Sequence, residues 1–175
     1  MKPLDEPLFQ AFLQKADIRL PDQALQKQIG RELTFRHGPK RTIVVHFSKE
    51  DVPQATLDVL KIIFSLHNEW IFLPRHGYLS NWRELEVSKE DRAIIFEESE
   101  KLQLCDLVIG HFDKMFQTSD DMYICSEAGS TIVSIDHHLF DDGLNIYIND
   151  IELSGQMLQR LNAYGAELEV FYMNG

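Results

Sequence analysis

The sequence contains few cysteines, no long apolar run and no glycine-rich phosphate loop. Its 175 residues include only two cysteines, Cys105 and Cys125, which do not make a disulfide framework or a zinc-finger spacing. The longest apolar cluster, residues 59–66, is broken by Lys61, whereas a transmembrane helix needs about 20 apolar residues. The first ten residues carry two prolines and two acids where a secretory signal would be apolar. We therefore expect a cytoplasmic protein with no membrane span and with reduced, buried thiols.

Fixed cations are scarce in the C-terminal third. The formal net charge of the chain is −11, and after residue 111 Lys114 and Arg160 stand against eleven Asp and Glu. A nucleic-acid binder needs a basic stripe that displaces counterions from phosphates, so we expect no nucleic-acid partner. An acidic field speeds the encounter with a basic protein, and it also keeps a protein soluble.

The sequence carries no catalytic motif of the GxSxG, CxxC or HExxH type. Its densest group of polar ligands is Asp136-His137-His138, in a predicted strand. Neighbouring side chains on a strand point to opposite faces, so only Asp136 and His138 share one, whereas a catalytic zinc needs three protein ligands. We expect no catalytic residue, no bound metal and no cofactor. The alternative is a metal-assisted hydrolase using Asp136 and His138 with a third ligand such as His111.

Hydrophobic periodicity and capping signals predict five helices and eight strands. The predicted helices cover residues 4–15, 24–29, 52–67, 88–103 and 150–164, and the one at 52–67 has apolar positions on more than one stripe, as expected for packing on two sides. The predicted strands cover residues 33–36 and 42–47 as a pair, 70–73, 106–111, 122–126, 131–137, 144–148 and, as an edge strand, 168–172.

The three strands over residues 122–148 follow one another with only turn residues between them. Gly129 stands in the first turn and Asp141-Asp142-Gly143 in the second, and such turns favour consecutive antiparallel pairing. The predicted fold class is therefore α+β: a single domain of residues 1–175, with helices packed on a mainly antiparallel sheet that ends in a three-strand meander.

The last strand of this meander alternates in a way that singles out Tyr147. Leu144, Ile146 and Ile148 share one face, which leaves Tyr147 with Asn145 on the other. An aromatic side chain flanked by amides on an outer face is a plausible anchor for a protein partner. The candidate partner-binding residues are this tyrosine and the acids near the strand turns, namely Tyr147, Asp120, Asp121, Glu127, Asp136, Asp141 and Asp142.

The C-terminal third resembles the ending of the SUKH immunity superfamily of bacterial proteins. The resemblance rests on Leu107-Val108-Ile109-Gly110 as an "I-G" strand, on the strands at residues 121–125 and 132–137, and on the closing helix. Residues 18–22, with their Leu-Pro pair, are similar to the early helix start of that superfamily. Two features depart from it: Gly30-Arg31-Glu32 stands where Asn-Gly-Gly is expected, and the long helix at 52–67 is additional. The segments 52–66 and 140–144 are similar instead to uncharacterised bacterial families with an Asp-Asp-Gly turn.

Together, the charge and the resemblance predict a small acidic protein that binds another protein. The resemblance implies an immunity protein that neutralises a toxin, and toxin nucleases are usually basic because they bind phosphates. The third alternative, beside binding and hydrolysis, is a homodimeric regulatory protein that uses the last strand, residues 168–172, as its pairing edge.

Overall fold

The computed structural model describes residues 1–19, 34–48, 52–73, 93–110, 112–113, 122–135, 139 and 143–173. Within these ranges the helices are α1 (Glu6–Lys15), α2 (Val52–Phe64), α3 (Lys101–Gly110) and α4 (Ile151–Tyr164). The strands are β1 (Lys2–Pro3), β2 (Ile18–Arg19), β3 (Thr34–Phe35), β4 (Arg41–His46), β5 (Trp70–Phe72), β6 (Ile94–Phe96), β7 (Met122–Ser126), β8 (Thr131–Ile135), β9 (Leu144–Ile148) and β10 (Glu167–Tyr172). A short 3₁₀ turn, Glu98–Glu100, precedes α3.

Eight of these strands form one sheet in the order β1-β6-β5-β7-β8-β9-β4-β10. Every neighbouring pair is antiparallel, so the predicted α+β class with a mainly antiparallel sheet is confirmed. The predicted meander of β7, β8 and β9 is confirmed as well. Its second connection is longer than a tight hairpin, since β8 ends at Ile135 and the Gly143 N–H donates to the Leu139 carbonyl at 3.1 Å.

Alternation along the strands sends apolar side chains to both faces of the sheet. One face packs against α2, α3 and α4, through side chains such as Leu60, Val108 and Leu161. The other face packs against α1 and the β2–β3 pair, through Phe9 and Phe35. The sheet is therefore the middle of three layers, which is why β5, β7, β8 and β9 are buried almost throughout.

Two helices of this face, α2 and α4, follow from the sequence pattern. The buried side chains of α2 include Val52, Val59, Leu60 and Ile63, and α2 contacts both α3 and α4. The predicted packing of this helix on two sides is confirmed. Helix α4 begins after Asp150, whose side chain accepts a hydrogen bond from the Leu153 N–H at 3.0 Å, and it ends at Gly165, as expected from the capping signals. No helix in the described ranges is both long and apolar enough to cross a membrane.

Two predicted elements around residue 100 are wrong. The helix predicted over 88–103 contains strand β6, because Ile94 and Phe96 face the helical layer while the whole strand pairs with β1 and β5. Residues 106–110 of the strand predicted over 106–111 fall in α3, where Leu104, Cys105 and Val108 are buried. Residues 107–110, which the SUKH resemblance expects as a strand, are therefore helical. Short apolar runs fit either structure, and here tertiary packing determines the outcome.

The predicted pairing between the strands at 33–36 and 42–47 is also wrong. β3 pairs with β2 in a separate two-stranded sheet, whereas β4 lies between β9 and β10 in the main sheet. Both edges of β4 are thus occupied by strands about 100 residues or more away in sequence, and no local turn signal could show this. The helix predicted over 24–29 lies outside the described residues.

Candidate functional site

A polar cleft of about 370 Å³ opens at one end of the sheet. It is lined by the segment between α2 and β5 and by the turn between β7 and β8, namely Leu66, His67, Asn68, Glu69, Glu127 and Ala128. The two segments meet because Trp70, the first residue of β5, pairs with Ser126, the last residue of β7. The Glu127 N–H donates to the Glu69 carbonyl at 3.1 Å, which extends this pairing into the cleft.

Trp70 supports the floor of the cleft. Its side chain is fully buried, its indole N–H donates to the Phe64 carbonyl at 3.1 Å, and the His67 ring lies edge-on to it at 5.1 Å between centroids. His67 Nε2 lies 3.1 Å from the Thr131 Oγ1. The His67 ring is thereby held between α2 and β8, rather than free at the surface.

The position of His67 also determines its charge. Burial lowers the pKa of His67 below its ordinary value, the nearby Lys101 ammonium lowers it further, and the Asp150 carboxylate opposes the shift. His67 is therefore a neutral imidazole at pH 7. In this form it contributes a polar ring to the cleft without adding a positive charge.

The turn between β7 and β8 is rigid because one buried hydroxyl organises it. The Ser126 Oγ accepts hydrogen bonds from the backbone N–H groups of Ser130, at 3.1 Å, and Thr131, at 3.0 Å. Gly129 has a φ of +72°, and its Cα packs against Ala16 at the end of α1. These contacts leave Glu127 exposed at the tip of a well-held turn.

Three glutamates lie side by side at this end of the sheet. Glu97 follows β6, Glu69 precedes β5 and Glu127 follows β7, and Trp70 pairs with both Phe96 and Ser126. Glu97 is paired with Lys2, which lowers the pKa of Glu97 and raises the pKa of Lys2. Within the described ranges, no ion pair of Glu69 or Glu127 is seen.

The other cations near the cleft have carboxylates of their own. The amino group of Met1 pairs with Glu100, and the Lys101 ammonium lies 3.9 Å from Glu98. The Lys2 ammonium also attracts the Glu69 carboxylate at longer range, and no cation within the described ranges forms an ion pair with Glu69 or Glu127. The cleft is consequently suited to a positively charged group, held by two carboxylates with an amide and a neutral imidazole beside them.

Of the candidate residues chosen from the sequence, Glu127 lies on the cleft. Glu69, His67 and Asn68 were not chosen, since none stands in a recognisable motif. The register between β5 and β7 brings them to Glu127, and pairing of strands 50 residues apart is not visible in the sequence. The remaining acids, Asp120, Asp121, Asp136, Asp141 and Asp142, lie outside the described residues.

The expectation of an exposed Tyr147 is wrong. The predicted division of β9 is confirmed, because Leu144, Ile146 and Ile148 belong to the core under the helices while Tyr147 lies on the opposite face. However, Tyr147 is only 8% exposed. The layer of α1, β2 and β3 covers this face of the sheet, and an apolar layer contributed by the N-terminal segment leaves no signal in the alternation of β9 itself.

No group of three potential metal ligands occurs in the part of the chain that the structure describes. Asp136, His138 and His111, the ligands of the alternative hydrolase, lie outside that part. The described residues therefore form an acidic cleft and contain no group of three metal ligands beside it.

The two cysteines are free and buried, as expected. Burial raises the pKa of Cys105 to about 11, and the pKa of the fully buried Cys125 is raised further. A thiol with such a pKa is about 0.1% thiolate at pH 8, and the thiolate is the reactive form. Cys125 lies in β7 on the face packed against α1, so neither cysteine is placed to act as a nucleophile.

We expect both thiols to be unreactive in the native protein. A disulfide reagent added at pH 8 should release almost no chromophore within minutes, and two equivalents should appear once urea unfolds the chain. Rapid reaction of one thiol in the native protein, at a rate close to that of free cysteine, would contradict the burial of that residue.

We expect His67 to make stability depend on pH. Its pKa in the folded protein lies below the 6.5 of an unperturbed histidine, so between these values the unfolded chain binds a proton that the folded chain does not. The free energy of unfolding should therefore fall as the pH drops through this range. Urea titrations at pH 7.5 and 5.0 should show a larger loss for the wild type than for His67→Gln, and equal losses would contradict the prediction.

Comparison of the chain with models of protein families, with curated proteins and with solved structures finds no match.

Proposed function

We propose that this protein acts by binding a basic protein partner, with the cleft at the start of β5 and the end of β7 receiving a lysine or arginine side chain. The observation that carries the proposal is the pair of carboxylates, Glu69 and Glu127, on the two segments that line the cleft. Each acidic side chain stands on backbone that is fixed by the sheet, so the site is preorganised for a cation. A preorganised site loses less conformational entropy on binding.

The charge of the whole chain supports the same partner class. A net charge of −11 attracts a basic protein over roughly the Debye length, about 8 Å at physiological salt, and repels acidic ones. The net charge of the chain speeds only the encounter with the partner. The cleft then provides a specific contact with one of its cationic side chains. The buried interface area alone does not determine the affinity of a complex, because a few desolvated charged contacts often contribute most of the binding energy.

Toxin neutralisation in the cytoplasm is the specific form of this function that we propose. An acidic immunity protein would occupy the phosphate-binding surface of a basic toxin, and its rapid association would matter because the toxin acts on the producing cell. Support for this form comes from the charge and from the resemblance at the strands β7 and β8, while the helical residues 107–110 do not add to it.

The proposal is tested by using the chain as bait in a lysate of its native host and identifying what it retains by mass spectrometry. Three baits are compared: the wild type, Glu69→Gln combined with Glu127→Gln, and Asp106→Asn. Asp106 is an exposed acid of α3 that does not line the cleft, so its variant controls for the loss of a negative charge elsewhere on the surface.

We expect a basic protein that the wild type and Asp106→Asn retain equally. The double variant should bind it at least about tenfold more weakly, since loss of a partner from a desolvated charged contact costs about 2 kcal/mol or more. Retention of an acidic protein, or equal retention of a basic one by all three baits, would contradict the proposed function at this cleft.

A further inference from the structure

Among the strands that the structure describes, β10 is an open edge of the main sheet. It is the last strand in the sheet order and pairs over all six residues with β4, in a continuous register without a bulge. The opposite edge, β1, has only two residues. Long, regular edge strands are templates for further pairing, and proteins usually protect them with bulges, prolines or short length. β10 has none of these three protections.

The direction of the free backbone groups of β10 follows from one hydrogen bond. The Met173 N–H donates to the Lys40 carbonyl at 3.2 Å, and this pair continues the register between the two strands. In an antiparallel pair the hydrogen-bonded residues alternate, so the odd-numbered residues of β10 bond to β4. The N–H and C=O groups of Leu168, Val170 and Tyr172 therefore point away from the sheet.

The end of this edge exposes three consecutive large apolar side chains. Phe171 is 49% exposed, Tyr172 is 61% exposed and Met173 is 58% exposed. Beside them stand Arg41, the first residue of β4, and Lys40, which precedes it, and the Arg41 guanidinium lies 5.0 Å from the centre of the Tyr172 ring. The edge is thus apolar and cationic at this end.

The beginning of the edge has the opposite character. Glu167 and Glu169 are both exposed, and Glu169 lies 3.4 Å from His46 of β4. The edge is consequently acidic at one end and apolar with cations at the other. Such a strand is complementary to an antiparallel copy of itself, because each acidic end then lies beside the cationic end of the other.

We propose that β10 pairs with β10 of a second copy of this chain, antiparallel, about a two-fold axis at Val170. Val170 then lies opposite Val170, Leu168 opposite Tyr172, Glu169 opposite Phe171 and Glu167 opposite Met173. All outward backbone groups of the strand are satisfied, with about six hydrogen bonds between the copies. The exposed Phe171 side chains become diagonal neighbours across the axis, where aromatic side chains reach one another.

The neighbouring registers are less favourable. An axis at Glu169 places the two Glu169 carboxylates directly opposite each other, and like charges in that position are destabilising. An axis at Phe171 shortens the pairing and leaves only about four hydrogen bonds within β10. The axis at Val170 also brings Glu167 next to Met173, whose backbone partner is the exposed Lys40 just before β4.

This interface is independent of the cleft. In the sheet order, β8, β9 and β4 separate β7 from β10. A dimer formed at β10 therefore leaves the cleft of each copy accessible and presents two clefts on one continuous sheet.

Light scattering coupled to gel filtration, over a range of protein concentrations, tests the pairing. We expect the wild type to run as a dimer of twice the 20.3 kDa chain mass and Val170→Pro to run as a monomer. Proline removes the outward N–H of Val170, which has no partner in β4, so the fold should be kept, and circular dichroism checks that it is. Val170→Thr retains the N–H and the β-branched shape, and should remain dimeric.

A cysteine scan tests the register and does not depend on how the proline variant folds. Val170→Cys should give a disulfide-linked dimer on mild oxidation, because hydrogen-bonded neighbours lie about 5.5 Å apart at Cα. Tyr172→Cys should not, since Leu168 lies opposite it. A monomeric wild type at every concentration, a dimer that a folded Val170→Pro leaves intact, or equal cross-linking at both positions would overturn the proposal.

Discussion

Replacement of Trp70 by alanine is expected to lower the free energy of unfolding by about 4 kcal/mol, as for other large buried aromatic side chains. The side chain is fully buried, contacts the Phe64 ring at 4.9 Å between centroids and forms the wall against which His67 lies. Its removal leaves a cavity beneath the cleft and leaves the Phe64 carbonyl without its indole donor. Urea denaturation followed by circular dichroism measures the change.

Trp70→Phe separates the contribution of the buried aromatic volume from that of the indole hydrogen bond. It keeps most of the aromatic volume but removes the N–H, so a smaller loss of about 1–2 kcal/mol is expected. A loss below about 1 kcal/mol for Trp70→Ala would contradict the buried position of this side chain. In the alanine variant the pKa of His67 should also rise toward its ordinary value, because water then reaches the ring.

Gly129→Ala is expected to be the second most damaging of the substitutions considered, with a loss of about 3 kcal/mol. A Cβ at this position would lie 2.5 Å from the Ala16 Cβ and 2.9 Å from the Ala16 Cα, so α1 would have to move. The φ of +72° adds about 1 kcal/mol or more for any residue with a side chain. Over-packing of this kind typically costs about 1–3 kcal/mol.

Gly155→Ala provides a matched control. Gly155 lies inside α4, and a Cβ there would meet nothing within 4 Å. The same chemical change should therefore raise the free energy of unfolding by about 0.5–1 kcal/mol, because alanine favours a helix interior. Thermal melts of the two variants should shift in opposite directions. A Gly129→Ala protein that melts at the wild-type temperature would show that the turn does not pack on α1 as described.

The parts of the fold that sequence reasoning predicts are those in which local pattern and tertiary structure agree. The strands β7, β8 and β9 alternate between two apolar sets, and each of their two connections contains a glycine at a positive φ, Gly129 and Gly143. Helix α4 carries a capping residue at its start and glycine after its end. In each case the signal lies within about ten residues of the element it describes.

The parts that it misses depend on distant segments. The sequence around residue 100 contains two short apolar runs, and β1 and β5 make the first a strand while α2 makes the second a helix. Tyr147 is covered by α1, which lies more than 130 residues earlier. The cleft depends on the register that brings Glu69 beside Glu127. None of these pairings has a local sequence signal.

The rate at which the captured basic partner associates, measured by stopped flow at low and high salt, tests the central claim most directly. For the wild type we expect fast association that slows steeply with added salt. For Glu69→Gln combined with Glu127→Gln we expect slower association, a weaker dependence on salt and faster dissociation, whereas Asp106→Asn should keep the dissociation rate of the wild type. A wild-type association rate that is indifferent to salt, or a double variant with the rates of the wild type, would contradict an acidic cleft that binds a basic protein.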